Sequence, residues 1–388
     1  VSVGSIISAV KDRAVYAALR SVISVGTVAD PDATLAACAR LGRLYAGAPF
    51  NRKRLDRAVT HLGEAFPDWT EARKREFALR GYEHLLMLGA ELALMPRLMS
   101  SEAWAERAKM TGIRPALEQL LRSDDRSMRP CILVTGHVGN WELGGTIMAM
   151  LGFKIHAIYR PLDSPTIDAW ARESRSRKGL LLLDKFSAAK GLPEIFGRGE
   201  CAAFVADQNA GVRGLFVPFF GRLASSYKAI GLMAQRYRAP VVVAWAKRVG
   251  GDEGEETAGN GLKVRARALR FDMHIEDAFG PEEWEGRPDP VFYITARYRR
   301  ALEAACTQAP DQVLWMHRFW KSRPLHERKG RPFPETLKKK LRELPWMTEE
   351  ELARIVARSE KDAADWAADP KNAVESAAGE EPEGREFA

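Results

Sequence analysis

Between residue 5 and about residue 125, apolar positions recur every third or fourth residue, as through Phe77-Ala78-Leu79-Arg80 and on to Leu85-Leu86-Met87-Leu88. That spacing puts one stripe of a helix into a core, so it predicts a helical region over residues 1–125. Phe66-Pro67-Asp68-Trp69-Thr70-Glu71-Ala72 reads as a helix stop and a fresh start, with Asp68 or Thr70 as the cap. Residues 5–26 mix Ile, Val, Leu and Tyr with Lys11, Arg13 and Arg20. This pattern suits a helix lying in a membrane surface better than one crossing it, and an ordinary amphipathic helix packed on its own domain is the competing reading. No stretch approaches the roughly 18–20 uninterrupted apolar residues of a spanning helix.

After Pro130 the pattern changes to short β-rich runs at Cys131–Thr135, Lys154–Tyr159, Leu180–Leu183, Cys201–Ala206, Gly214–Pro218 and Pro240–Ala246. Amphipathic stretches near 140–151, 163–178, 187–198 and 225–237 separate them. Such alternation predicts an α/β domain over 126–325, with a mixed, mostly parallel sheet flanked by helices. The Gly- and Glu-rich residues 249–261 read as an exposed loop before a strand at Lys263–Phe271, and residues 291–309 as a helix. Residues 326–388 shift to Lys, Glu, Ala and Pro with few large apolar groups, which predicts a charged tail, helical in part and disordered at its end.

Charge sharpens this division. The net charge is +8, yet residues 347–388 carry twelve acids against five Lys and Arg, which leaves residues 1–346 at +15. So basic a body suits nucleic acid, anionic lipid or an acidic protein. No helix-turn-helix, zinc-finger, RNP or KH pattern supports nucleic acid. The four cysteines are scattered without a CxxC pair, and the seven histidines show no metal-ligand spacing, so no metal is expected. With no Walker A sequence or well-placed GxGxxG, no nucleotide or redox cofactor is expected either.

The chemistry-bearing segment is Cys131–Gly145, CILVTGHVGNWELGG, in which an apolar run leads through Gly136-His137-Val138-Gly139-Asn140-Trp141-Glu142 into a helix. On one continuous helix His137 and Glu142 would lie about 140° apart, but a strand end, turn and helix start can bring them together. Asn140 is a candidate N-cap, and Glu142 would sit in the first turn, where the helix dipole favours a carboxylate. A carboxylate on one imidazole nitrogen makes the other a better base for an alcohol proton, so His137 and Glu142 form the candidate catalytic pair. The bland alternative is that His137 ends a strand and Glu142 makes a surface contact. Tyr159-Arg160-Pro161 and Phe204-Val205-Ala206-Asp207-Gln208-Asn209 also follow apolar runs, so Arg160, Asp207 and Gln208 should reach the same edge of the sheet. Arg172, Arg175, Arg177 and Lys178 form a basic cluster, either a solvated helix face or a phosphate contact. Val217-Pro218-Phe219-Phe220-Gly221 reads either as the lip of an acyl groove or as core aromatics.

With Ala65-Phe66-Pro67, TGHVGNWE, Tyr159-Arg160-Pro161, Asp207-Gln208, the Phe220-Gly221 turn and a closing Trp315-Met316-His317-Arg318-Phe319-Trp320-Lys321-Ser322-Arg323-Pro324, the chain resembles the lipid A biosynthesis lauroyl/myristoyl acyltransferases of the lysophospholipid acyltransferase superfamily. The resemblance implies a glycerolipid-acyltransferase-like fold at the cytoplasmic face of a cell inner membrane. It also implies acyl carrier protein thioesters as donors and a hydroxyl of a lipid A precursor or related glycolipid as acceptor. His137 and Glu142 fall on the H-x4-[D/E] motif, while Arg160, Asp207, Gln208, Asn140, Phe220 and Gly221 become candidate substrate contacts. Two readings compete: a glycerophospholipid acyltransferase, whose relatives usually show H-x4-D and F-P-E-G, and a basic membrane-binding protein without activity. A Ser or Cys hydrolase is disfavoured, because no G-x-S-x-G elbow occurs.

Overall fold

The computed structural model describes residues 3–99, 104–121, 129–162, 164–249, 256–257, 263–264 and 269–369. Helices α1 (Val3–Val28), α2 (Pro31–Gly47), α3 (Arg52–Ala65) and α4 (Glu71–Leu98) come first, then the short α5 (Trp104–Arg107), strand β1 (Ala108–Thr111) and α6 (Ile113–Leu120). Strands and helices then alternate: β2 (Cys131–Thr135), α7 (Trp141–Met150), β3 (Ile155–Tyr159), α8 (Pro165–Ser176), β4 (Leu181–Asp184), α9 (Ala188–Gly197) and β5 (Cys201–Val205). A hairpin of β6 (Leu215–Phe219) and β7 (Arg222–Ser226) precedes α10 (Lys228–Tyr237) and β8 (Val241–Arg248). Last come two-residue strands β9 (Glu256–Thr257) and β10 (Lys263–Val264), β11 (Phe271–Phe279), α11 (Pro281–Trp284), α12 (Pro290–Gln308), α13 (Leu325–Arg328), α14 (Glu335–Arg342) and α15 (Glu349–Ala368).

Local chemistry accounts for several helix starts. Asp30, Ser164 and Asp289 each accept a hydrogen bond from a first-turn N–H, and a proline follows each of them where its missing N–H costs nothing. Thr70 caps α4 in the same way, as its position after Pro67 predicts.

Seven strands form one sheet in the order β1-β11-β8-β2-β5-β3-β4. All neighbours are parallel except β11 and β8. Successive side chains alternate between two covered faces. Ile132, Val134, Ala202, Val241 and Val243 pack with α9, α10 and α12 in one cluster, whereas Cys131, Cys201 and Val242 face α6 in another. Burial on both sides explains why these strands read as continuous apolar runs.

Three expectations change. The helical region gives way before residue 125, because Ala108–Thr111 form an edge strand parallel to β11. The run expected as one strand at Lys263–Phe271 is divided: Lys263 and Val264 form β10, Phe271 opens β11, and residues 265–268 lie outside the described residues. The helices expected in part of the tail are α13, α14 and α15, and they pack on the domain instead of trailing from it; the disorder expected at the chain's end falls on residues outside those described. The reason is spacing. Leu352, Ile355, Ser359 and Asp362 make one buried stripe of α15, and Leu341, Leu344, Leu352 and Ile355 join the cluster that holds Phe292 and Tyr293. Asp362 then accepts from Arg222 (2.7 Å), Arg323 (2.6 Å) and Arg358 (3.0 Å). Charge pairing here does what apolar bulk does elsewhere. Leu352→Ala should therefore lower the unfolding free energy by about 2–5 kcal/mol in urea denaturation, the loss expected of a core leucine; a detached tail would leave it unchanged.

Candidate active site

Strands β2 and β5 pair in parallel register from Cys131↔Cys201 to Thr135↔Val205. His137 and Asp207 each lie two residues beyond the last pair, so the two chains carry them off the sheet side by side. The His137 Nδ1 stands 2.7 Å from Asp207 Oδ1, and the His137 backbone N–H donates to Oδ2 at 2.9 Å. A carboxylate only accepts, so Nδ1 carries the proton and the other ring nitrogen, Nε2, is left as the base.

Asp207 is 1% exposed. Burial alone would push its carboxyl up, but the imidazole and N–H of His137, with the nearby His317, hold it well below the usual carboxylate range. From beneath, the buried Arg299 donates to the carbonyls of Ala206 (3.2 Å) and Asp207 (2.6 Å) while stacking on Phe219. His317 lies with its ring centroid 4.5 Å from that of His137, and its Nδ1 faces the Gln208 amide at 3.3 Å. Burial, then the neighbouring His137, lowers His317 to about 4, which keeps it neutral near pH 7.

Glu142 therefore does not partner His137 as expected. Its carboxylate is held by Arg175, whose Nε lies 2.9 Å from Oε2 and 3.1 Å from Oε1. The five-residue spacing suggested a local pair, but α7 begins at Trp141 and turns Glu142 toward α8, while a carboxylate seventy positions away takes the imidazole.

The turn between β2 and α7 is fixed on every side. Gly139 has φ +57° and runs so close to β8 that a Cβ would lie 2.0 Å from the Ala246 carbonyl. The N–H groups of Gly139 and Asn140 donate to Gln312 and Ala246 at 2.9 and 2.8 Å. Asn140 caps α7 by accepting from Leu143 N–H, and its amide donates to the fully buried Glu91 of α4 at 2.9 Å. Arg248 at the end of β8 binds both Glu91 oxygens and approaches His84 Nδ1 at 2.9 Å. Buried and facing that guanidinium, His84 is held well below its ordinary pKa.

A cavity of about 1750 Å³ opens at these strand ends. His137, Glu142, Arg160, Arg175 and Gln208 line it there. Back along β2, β3 and β5 the lining becomes Leu133, Ala157 and Ala203, with Ala116 and Leu120 of α6 and Met148 of α7 opposite. Asn140 touches this cavity, but its amide is committed to the cap and to Glu91. Phe220 and Gly221, expected as substrate contacts, are not part of the lining. Both have positive φ, as a two-residue hairpin turn between right-twisted strands requires, and Phe220 packs on Phe66 and Trp315 as a core aromatic. Among the described residues no group of three His, Cys, Asp or Glu side chains could hold a metal ion, and no helix is long and apolar enough to cross a membrane.

The profile of the bacterial lipid A biosynthesis acyltransferases matches residues 14–322. The chain belongs to this family. The acyltransferase is 24% identical over 276 residues, 71% of its own length, to a lipid A biosynthesis lauroyltransferase of Escherichia coli (strain K12), and covers 81% of that protein. It is 23% identical over 283 residues to a lipid A biosynthesis palmitoleoyltransferase of the same organism and to a lipid A biosynthesis acyltransferase of Shigella flexneri, covering 82% of each. Its site also holds residues to which sequence reasoning gave no place there: Glu91, Arg248 and His317. Glu91 left a trace, a lone acid within the apolar run Leu85–Met95. His317 sat in the closing motif without a role.

Two measurements probe this architecture. Gly139→Ala combines a disfavoured φ with a backbone clash, so it should cost upward of about 1 kcal/mol in urea unfolding and abolish most activity. His61 and His317 are both lowered to about 4 by burial, whereas in the unfolded chain they accept protons near pH 6.5. Their stabilising contribution is complete above pH 6.5 and drains away as the pH falls toward 4, by up to about 3 kcal/mol each. Urea unfolding at stepped pH should show that loss, and His317→Gln should reduce it.

Proposed function

We propose that the acyltransferase moves a fatty acyl chain from an acyl carrier protein thioester to a hydroxyl of a lipid A precursor or related glycolipid, with His137 as general base and Asp207 as its partner. The observation that carries this reading is the His137–Asp207 contact at the mouth of a deep, largely apolar cavity. The acceptor hydroxyl gives its proton to His137 Nε2 as its oxygen bonds to the thioester carbonyl carbon. The C–S bond then breaks, and the imidazolium returns the proton to the leaving thiolate. No acyl-enzyme forms: Cys131, Cys201 and Cys306 are buried, and burial raises the thiols of Cys131 and Cys306 well above their ordinary range.

Charge on the carbonyl oxygen needs a donor outside most of the turn, since the N–H groups of His137, Gly139 and Asn140 are already engaged. Arg160, exposed on the cavity wall, is the group we assign to it. The acceptor class rests on the family and on the activities for which its relatives are named; the carrier rests on the strongly basic body, which an acidic protein would complement. Val25 and Val28 of α1, Leu41 and Leu44 of α2 and the following Phe50 are each exposed, and apolar side chains of this kind suit peripheral contact with the cytoplasmic face of an inner membrane.

The test uses acyl carrier protein thioesters with a tetraacylated lipid A precursor, a monoglycosyl lipid and lysophosphatidate, products being read by mass. A glycolipid product is expected, and exclusive acylation of lysophosphatidate would replace the acceptor class. His137→Ala and Asp207→Asn should each cut kcat by about 10²–10⁴. Glu142→Gln, which leaves the imidazole paired, should cost less; the reverse order would return the partner role to Glu142.

A further inference from the structure

The family match ends at residue 322, yet the chain beyond it re-enters the active-site cavity: Leu325, Arg328 and Lys329 of α13 and its C-terminus line the wall together with Arg160, Arg213 and Lys228. We propose that Arg328 and Lys329 form, with Arg213 and Lys228, a phosphate-binding rim that the C-terminal segment adds to this enzyme. The inference rests on the acyl-transfer reading and names a chemical group its ligand must carry.

Four observations support it. First, all of these cations face one cavity, and none of them makes an ion pair among the described residues. Second, Glu142, the acid of the described lining, is held by Arg175, and Asp207 beside it by His137, so among the described residues no free carboxylate lines the wall to neutralise the cations. Third, Arg328 is half-buried and its Nε is enclosed without a hydrogen-bond partner, which a solvated surface arginine would not accept. Fourth, the helix that carries it is rigidly placed. Glu327 accepts from Arg323 (2.7 Å) and from Ser359 of α15 (2.6 Å), and His326 meets the same serine at 2.9 Å. A guanidinium and an ammonium on consecutive residues at a cavity rim match the charge of a phosphate, and the guanidinium also matches its geometry. That phosphate belongs either to the acceptor glycolipid or to the phosphopantetheine arm of the donor.

Equilibrium binding to the full-length protein separates the two. One pair of probes is a phosphorylated glycolipid and its dephosphorylated counterpart; the other is carrier protein with and without its phosphopantetheine. Arg328→Gln/Lys329→Gln should weaken binding of the phosphate-bearing member of one pair roughly tenfold and leave its partner unchanged. The affected pair identifies the source. Arg328→Lys/Lys329→Arg should restore much of the loss, and Arg213→Gln, on a different loop, should reproduce it. Wild type that does not distinguish the members of either pair, or a double variant whose losses are absent or equal for both members, overturns the proposal. Because binding is read without turnover, a failure of glycolipid acylation by wild type would count against the acyl-transfer reading separately.

Discussion

The in-register pairing of β2 with β5 is the constraint from which the site follows. Two parallel strands that end level must deliver their next residues to the same place, and here those residues are a histidine and an aspartate. An unpaired carboxylate this deeply buried would cost several kcal/mol. Asp207 avoids that cost by taking a backbone N–H and an imidazole N–H from one residue, while Arg299 fixes the backbone that carries it. Fold and dyad are therefore coupled: a slip of β5 would strand the carboxylate, and the stranded carboxylate would oppose the slip.

A second buried charge network extends this coupling to the N-terminal helices. Glu91 reaches from α4 to Asn140, the residue that caps α7, and to Arg248 at the end of β8. Removing one partner from such a pair leaves an uncompensated buried charge, which penalises any state in which α4 separates from the sheet. The N-terminal helix α4 is thus tied to the turn that carries His137.

How much of this was legible follows the range of each interaction. The apolar run Cys131–Thr135 matches β2 at both ends, and the runs for β3, β4, β5, β6 and β8 fall within a few residues of the observed strands, because burial on both faces writes itself locally. β1 left no such trace: four residues, Ala-Lys-Met-Thr, become strand only by pairing with Phe271–His274, far along the chain. β11 reads poorly because Asp272, His274, Glu276 and Asp277 break its apolar character. The site divides similarly. His137, Arg160 and Asp207 were recognisable as polar groups at strand ends. The choice of Glu142 over Asp207 as the partner was not decidable locally, since spacing along the chain favours the near carboxylate and only strand register favours the far one.

The electrostatics of the cavity then acquire a simple logic. Among the described residues, Glu142 on its wall is neutralised by Arg175 and Asp207 beside it by His137, so the field at the strand ends is set by Arg160, Arg213, Lys228, Arg328 and Lys329. Farther in, Leu133, Ala157, Ala203 and Met148 present nothing polar. A ligand with an anionic head and an aliphatic tail can satisfy both regions only by lying across their boundary, and His137 stands at that boundary. In the proposed transfer, negative charge developing on a carbonyl oxygen there would meet a net positive wall instead of competing acids, and the low-polarity interior would strengthen the interaction. The Glu142–Arg175 pair, which at first looks like a lost catalytic partner, fits the same arrangement: under the proposed transfer it would neutralise a carboxylate that otherwise opposes the oxyanion.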